Sequence, residues 1–161
     1  MYNMTRKYAS ATFALALCSV LAACGGGSRD VIYVGVAGPL TAANGISMRR
    51  AAEMAAAEIN ADNGINGDSL VLVFKDDGAD PQKAITVAGE LKSDPRIVAV
   101  IGHVNSSASL RAATIYNAAD STGDPVLQIS PASSAPALTH AGEWTFRVTP
   151  TDLEFSPALA A

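Results

Sequence analysis

Cysteine, aromatic residues and clustered basic residues are all scarce in this sequence. Its only two cysteines are Cys18 and Cys24, both near the amino terminus, so no disulfide can stabilise the rest of the chain. Aromatic residues make up 6% of the chain although 49% of it is hydrophobic, which indicates a core packed through small aliphatic side chains. Lys and Arg are outnumbered by Asp and Glu, 11 to 15, and form no basic cluster, so a nucleic-acid partner is not expected.

The amino-terminal segment has the features of an export signal. Arg6 and Lys7 precede an apolar run over residues 8–23, which is short for a membrane-spanning helix. The Leu-Ala-Ala-Cys sequence that ends at Cys24 resembles the lipobox of bacterial lipoproteins. This resemblance implies that residues 1–23 are a lipoprotein signal peptide and that Cys24 carries a lipid, with residues 24–29 as a flexible tether. An uncleaved membrane anchor and an ordinary signal peptide are the alternatives.

Apolar strand-like and helix-like segments alternate along the rest of the chain. Runs rich in β-branched residues predict strands at residues 31–37, 70–74, 97–101, 126–129 and 145–148. Helical spacing predicts three helices, whose inward stripes are Met48, Ala52, Ala55 and Ile59; Ala84, Ala88 and Leu91; and Ala108, Ala112, Ile115 and Ala119. Asp80 followed by Pro81 marks a helix start. This order predicts an α/β fold, a doubly wound parallel sheet with helices on both faces.

Small polar residues follow the predicted strands at their carboxyl ends. In an open parallel sheet these ends meet at one edge, where helix N-termini present unpaired amide groups, and ligands bind there. We therefore predict a site for a carboxylate or another small anionic group. The candidate ligand-binding residues are Asn44, Asn105, Ser106, Ser107, Ala132, Ser133 and Ser134. The alternative is that the serines and asparagines among them only cap helices and form turns.

Short motifs along the chain resemble those of a known family. They are Gly-Pro-Leu-Thr at 38–41, Ala-Glu-Ile-Asn at 57–60 before Gly-Ile-Asn-Gly at 64–67, Asp-Asp at 76–77 before Asp-Pro at 80–81, Val-Ile-Gly-His at 100–103 with Ser106 and Ser107, Ile-Ser-Pro at 129–131, and Phe-Arg at 146–147 before Thr-Pro-Thr-Asp at 149–152. In this order and spacing, from residue 31 to about residue 160, the chain resembles the type I periplasmic binding proteins for leucine, isoleucine and valine.

The resemblance implies a two-lobed clamshell that delivers an amino acid or a similar small carboxylate to an ABC permease. By motif position, Ser106 resembles the serine that binds the ligand carboxylate, Ala132 a backbone contact, and Ser134 a hydroxyl usually supplied by threonine. Residues 30–150 are then the first lobe, and residues 151–161 begin the crossover to a second lobe that this sequence lacks. On that basis we expect the 161-residue chain to bind little ligand. The loop around Asn44 departs from the family because it lacks the aromatic residue often found over the ligand.

An enzyme is not indicated, and no cofactor or metal is expected. The sequence has only two histidines, His103 and His140, and no nucleophile-elbow pattern surrounds Ser106. We interpret His103 as a structural donor at a strand end. The acidic residues between 76 and 80 fit no calcium loop and are interpreted as a solvated strand end with a helix cap. A ligand-sensing receptor or regulator domain and an exported hydrolase are the competing functions.

Overall fold

The computed structural model describes residues 30–119, 121 and 123–159, and the predicted signal peptide and Cys24 lie outside them. The five strands are β1 Val31–Gly38, β2 Ser69–Asp76, β3 Ile97–Gly102, β4 Leu127–Ser130 and β5 Thr145–Arg147. The helices are α1 Ala43–Ala61, α2 Pro81–Lys92, α3 Ser106–Tyr116, the 3-10 helix Pro136–His140, and α4 Asp152–Leu159. All paired strands are parallel, in the order β2-β1-β3-β4-β5. The predicted α/β fold is therefore confirmed.

Helices cover both faces of the sheet, and adjacent residues of β1 face opposite sides. Val36 packs in a cluster with Met48 and Ala52 of α1. Ala37, the next residue, packs with Leu91 of α2 and with residues of α3 on the other face. Because successive side chains of a strand alternate in direction, a continuous apolar run such as β1 can serve both layers. Burial of Leu91, which is almost complete, contributes about 2 kcal/mol to folding.

The start of α2 matches the sequence prediction. The Asp80 carboxylate accepts hydrogen bonds from the backbone N–H groups of Gln82 at 2.7 Å and Lys83 at 3.4 Å, while Pro81 occupies the first helical position. These bonds satisfy two of the amides that have no partner within a helix. The predicted stripe of Ala84, Ala88 and Leu91 is buried, as expected.

The inward stripes of the other two helices differ from the prediction. In α1 Ala55 is exposed and Ala56 is buried in its place, because three consecutive alanines give no contrast from which a helical phase can be read. The third helix ends at Tyr116, so Ala119 lies beyond it and is exposed. Asn117 ends that helix, since its side-chain amide donates both to the Ala113 carbonyl and to the hydroxyl of Thr145 in β5, each at 2.8 Å.

A close backbone approach fixes the connection between β1 and α1. Gly45, in the first turn of α1, lies against the carbonyl group of Pro39. A Cβ atom at position 45 would lie 2.0 Å from the Pro39 oxygen, so only glycine fits there without a backbone shift. The same carbonyl accepts a hydrogen bond from the amide of Ala42 at 2.8 Å, which closes the turn before α1.

The carboxyl-terminal part contains two helices in addition to the three predicted from the sequence. One is the 3-10 helix, and the other is α4. The Thr151 hydroxyl caps α4 by accepting from the amide of Glu154 at 3.3 Å, and the Thr151 amide donates in return to the Glu154 carboxylate at 2.6 Å. Apolar side chains in and directly after the edge strand β5 stay accessible, with Phe146 53% and Val148 74% exposed. No helix in the described part of the chain is long and apolar enough to cross a membrane.

Candidate functional site

The candidate residues lie at the carboxyl edge of the sheet. Because all five strands are parallel, the segments that follow β1, β2, β3, β4 and β5 emerge at this edge. Four of them lead into the N-terminal ends of α1, α2, α3 and α4. Helix N-termini carry unpaired amide groups and a partial positive charge, so this edge favours an anionic group.

The start of α3 and the segment after β4 meet directly. The amide of Ala135 donates to the hydroxyl oxygen of Ser106 at 3.3 Å. The Arg147 guanidinium donates to the Ala135 carbonyl at 2.8 Å, and the Ser134 carbonyl accepts from the amide of Asp152 at 2.9 Å. The segment at 131–135, which we call the β4 loop, is thus held between α3, β5 and α4. The structure brings Ser106 together with the loop that carries Ala132, Ser133 and Ser134.

These residues differ in accessibility. Ser106 and Ser134 are half-buried, whereas Ser107 and Ala132 are exposed. Ser107 follows Ser106 in the first turn of α3, and Ala132 lies in the β4 loop. Solvent therefore reaches this ledge, formed by the first turn of α3 and the β4 loop, at several of the predicted positions.

Asn105 does not act as a capping residue for α3, although it occupies the N-cap position. Its side chain makes no capping hydrogen bond, and its Oδ1 atom is buried without a hydrogen-bond partner among the described residues. The alternative interpretation of the candidate residues as simple helix caps therefore does not apply to Asn105. The first amides of α3 receive no bond from this side chain and stay available to an anion.

Ser133 has a different environment from its neighbours in the β4 loop. It is 1% exposed, and its hydroxyl lies 2.7 Å from each of the hydroxyls of Ser109 and Ser130. The three form a buried hydroxyl cluster that also bonds the backbone carbonyl of His103, with Ser130 donating at 2.6 Å and Ser109 at 2.8 Å. The Ser133 hydroxyl therefore lies beneath the ledge, in contact with the side chains of the buried hydroxyl cluster.

Asn44 stands apart from the ledge. It is exposed in the first turn of α1, and its Oδ1 accepts from the amide of Gly45 at 2.9 Å. No hydrogen bond joins it to Ser106 or to the β4 loop among the described residues. Asn44 therefore lies at the same edge of the sheet as the other candidate residues but is not hydrogen-bonded to the ledge.

A buried histidine and aspartate lie immediately behind the ledge. His103 and Asp77 are both completely buried, and His103 Nδ1 lies 2.5 Å from Asp77 Oδ2. A carboxylate can only accept, so Nδ1 donates. Asp77 Oδ1 also accepts from the amide of Ala79 at 2.8 Å. The prediction that His103 is bonded at a strand end agrees with this geometry, whereas the interpretation of Asp77 as solvated was wrong.

No pattern in the sequence predicts this pair. Asp77 and His103 each follow the last residue of a strand, but β2 and β3 lie on opposite sides of β1 in the sheet. Their side chains meet beyond the end of β1, where the amide of Asp77 donates to the Gly38 carbonyl at 3.0 Å. A strand order with β1 in the centre would have indicated the contact, and that order cannot be read from the sequence alone.

Charges around the pair are balanced by local contacts. The Asp76 carboxylate accepts from Lys83 Nζ and from the amide of Leu40, both at 2.8 Å. The hydrogen bond from Lys83 is the main cause that lowers the pKa of Asp76 from its ordinary value.

Tyr116 lies next to His103, with the ring centroids 6.2 Å apart. Burial, and secondarily the charge of Asp77, raises the pKa of Tyr116 far above its ordinary value.

Sequence comparison identifies relatives of the whole described region. A family model described as periplasmic binding protein matches residues 31–160. Leu/Ile/Val-binding protein homolog 2 of Brucella abortus is 41% identical over 140 residues, which cover 84% of this chain and 36% of that protein. The amino acid binding protein of Pseudomonas aeruginosa is 37% identical over 143 residues, which cover 86% of this chain and 37% of that protein.

Solved structures share the same architecture. An ABC transporter substrate-binding protein from Desulfitobacterium hafniense, in complex with Leu, is 36% identical with a TM-score of 0.72, over 81% of this chain and 38% of that chain. The branched-chain amino acid transporter substrate binding protein of Streptococcus pneumoniae, in complex with isoleucine, is 28% identical with a TM-score of 0.69, over 76% of this chain and 35% of that chain. The present chain spans little more than a third of the length of these proteins.

Proposed function

We propose, because the chain belongs to the type I periplasmic binding protein family, that residues 30–150 form the first ligand-binding lobe of a protein that captures a small solute. This family consists of exported solute-binding proteins and not of enzymes. The proposed solute is an amino acid of the branched-chain type or a related small carboxylate. The relatives that carry Leu, Ile and Val in their names support this choice.

One observation carries the proposal: the hydrogen bond from the Ala135 amide to the Ser106 hydroxyl. It joins the N-terminus of α3 to the β4 loop, two segments that are 29 residues apart in sequence. The ledge thereby combines hydroxyl groups, free helix amides and loop backbone in one place. This set of donors suits a carboxylate, which can accept several hydrogen bonds at once.

Each candidate residue has a proposed part in that site. Ser106 binds the carboxylate through its hydroxyl, and Asn105 and Ser107 flank it at the start of α3. Ala132 contributes backbone groups, and Ser134 contributes a second hydroxyl from the other side of the ledge. Asn44, exposed at the start of α1, is proposed as a peripheral contact for a larger solute. Ser133 supports the loop from below through the buried hydroxyl cluster.

The proposal extends to how such a lobe works in the cell. A second lobe closes over the solute, and the complex delivers it to an ABC permease. Cys24 carries a lipid that holds the protein at the membrane surface, consistent with the lipobox-like sequence before it. Neither a cofactor nor a nucleic acid takes part in this function.

The test of the ledge is Ser106→Ala in a two-lobed protein, made by joining residues 30–159 to the part of the Pseudomonas aeruginosa amino acid binding protein that this chain does not cover. Loss of one hydrogen bond to a carboxylate costs ~1 to 3 kcal/mol, or about 5- to 150-fold in affinity. Isothermal titration calorimetry against a panel of amino acids measures this loss.

The matched control is Ser93→Ala, another loss of a serine hydroxyl. Ser93 is exposed, donates to the Glu90 carbonyl, and follows α2 at the opposite edge of the sheet. Its substitution is expected to leave the affinity within twofold of the parent. Equal affinities for the Ser106→Ala and parent proteins would reject the role of Ser106. If the parent protein binds neither an amino acid nor a small carboxylate, the proposed function itself is rejected.

A further inference from the structure

We infer that His103 and Asp77 are positioning residues for the carboxylate-binding ledge, an inference that rests on the proposed function. Both side chains are completely buried, so neither can touch a solute. Their effect on binding must pass through the residues that they hold in place. Two sets of contacts, one on the imidazole ring and one on the His103 backbone, make this possible.

The imidazole ring ties together two loops at the edge of the sheet. His103 lies in the segment between β3 and α3, three residues before Ser106, and Asp77 lies in the segment between β2 and α2. Their 2.5 Å contact is a hydrogen bond to a charged group in a fully buried setting, which makes it stronger than a neutral bond. Because Asp77 is also bonded to the amide of Ala79 and donates its own amide to Gly38, the histidine is fixed to a rigid framework.

The backbone of His103 is fixed from the other side by the hydroxyl cluster. Ser109 and Ser130 donate to its carbonyl, and the Ser133 hydroxyl, 2.7 Å from the hydroxyls of both, bonds to this pair. Ser133 belongs to the β4 loop, whose Ala135 amide donates to Ser106. The contacts therefore form a closed circuit that runs from His103 through the cluster to the β4 loop, then to Ser106, and back along the chain to His103.

A closed circuit of this kind sets the separation of the two halves of the ledge. If the imidazole bond is cut, the segment from 103 to 105 gains freedom, and the Ser106 hydroxyl loses its fixed direction towards the β4 loop. Binding must then also order this segment, which in the wild-type protein is held in place before the solute arrives, and this ordering lowers the affinity. The expected result is weaker binding by a protein that is still folded.

Two substitutions of His103 differ only in where they place an amide. The amide nitrogen of asparagine lies close to the position of Nδ1, so His103→Asn can keep the bond to Asp77. Glutamine places its amide nearer the position of Nε2, which has no hydrogen-bond partner among the described residues, so His103→Gln loses the bond. Restored behaviour in the asparagine variant separates loss of the bond from general damage to the core.

The first measurement needs no ligand and uses the 161-residue chain. Amide hydrogen exchange of Ala135, followed by NMR below the unfolding transition, reports whether its bond to Ser106 is intact. We expect exchange roughly tenfold faster in His103→Gln, the effect of one lost hydrogen bond to a charged group, and within about threefold of wild type in His103→Asn. Unchanged exchange in His103→Gln would overturn the inference, whatever the protein binds.

The second measurement is the amino-acid affinity of the two-lobed protein. We expect His103→Gln to bind roughly 5- to 30-fold more weakly than the parent and His103→Asn to bind like the parent. Equal affinity for the glutamine variant overturns the inference while leaving the proposed function in place. A parent that binds nothing rejects the proposed function, and the exchange measurement still decides the role of the pair.

A double substitution keeps the inference testable if His103→Gln does not fold. Replacing both partners, as His103→Leu with Asp77→Leu, leaves no unpaired buried charge, and such apolar replacements are often neutral for stability. A merely structural pair predicts unchanged exchange at Ala135 in this folded variant. A positioning pair predicts the same roughly tenfold acceleration together with weaker binding.

Discussion

Substitution of Tyr116 by phenylalanine is expected to stabilise this protein, in contrast to most changes in a core. Tyr116 ends α3 and is 0% exposed. Its hydroxyl has no hydrogen-bond partner among the described residues. Phenylalanine has the same ring and fills the same space, so Tyr116→Phe removes the hydroxyl without opening a cavity.

The magnitude follows from the cost of the buried hydroxyl. Taking a hydroxyl out of water without giving it a partner costs about 1 to 3 kcal/mol. The ring itself keeps its contacts in the cluster that contains Ala112, Leu91 and Val100. We expect Tyr116→Phe to raise the free energy of unfolding at pH 7 by about 1 to 2 kcal/mol, the lower part of that range.

The same substitution changes how stability depends on pH. Burial, with a smaller effect of the Asp77 charge, raises the pKa of Tyr116 in the folded state above its ordinary value near 10. The phenol is therefore neutral in the folded protein at a pH where the unfolded chain has begun to ionise. Its contribution to stability is fully present below about pH 10 and is lost as the pH rises, by about 1.4 kcal/mol per unit. Tyr116→Phe removes this loss.

Urea unfolding of the two proteins between pH 7 and pH 11 measures both effects. The difference in unfolding free energy should favour the variant at every pH and should widen above about pH 10. Tyr33→Phe is the control, because Tyr33 is only partly buried and its ring lies against the Arg96 guanidinium at 4.6 Å. A variant less stable than wild type at pH 7 would show that the Tyr116 hydroxyl has a partner, and would refute the reasoning.

Two further substitutions test the framework of the ledge by thermal and urea unfolding. Asp80→Ala removes both capping bonds of α2 and should cost about 1 kcal/mol, whereas Asp80→Ser should recover most of it; equal stability of all three proteins would contradict the capping role. Gly45→Ala forces a Cβ atom to within 2.0 Å of the Pro39 oxygen and should cost about 2 kcal/mol or more. Gly89→Ala, where a Cβ would meet nothing within 4 Å, is its control and should be neutral or slightly stabilising; similar stabilities for the two variants would show that the turn at Pro39 yields freely.

Much of the architecture was predictable because apolar residues recur with different spacings in strands and in helices. The continuous apolar run of β1 indicated a strand covered on both faces, and the dipeptide of Asp80 and Pro81 indicated a helix start, and both were correct. Which residues of a helix face inward was harder to predict where neighbouring side chains are alike, as at Ala55 and Ala56. The short 3-10 helix and α4 were not predicted, because neither has an apolar stripe long enough to show helical spacing.

The candidate site was predictable in outline, since the carboxyl edge of a parallel sheet gathers loops that are far apart in sequence. What could not be predicted was which residues meet there. Ser133 has the same side chain as Ser134, yet it lies beneath the ledge, where its hydroxyl contacts those of Ser109 and Ser130. The contact between His103 and Asp77 depends on strand order, and no local pattern encodes that order.

The direction of β1 determines where a segment attached ahead of it lies relative to the ledge. The described chain starts at Asp30, at the amino end of a strand whose other end borders the ledge. Eight residues of strand place these two points about 26 Å apart. Any segment joined ahead of Asp30 is therefore attached at the edge of the sheet opposite the ledge, and the ledge faces away from the point of attachment.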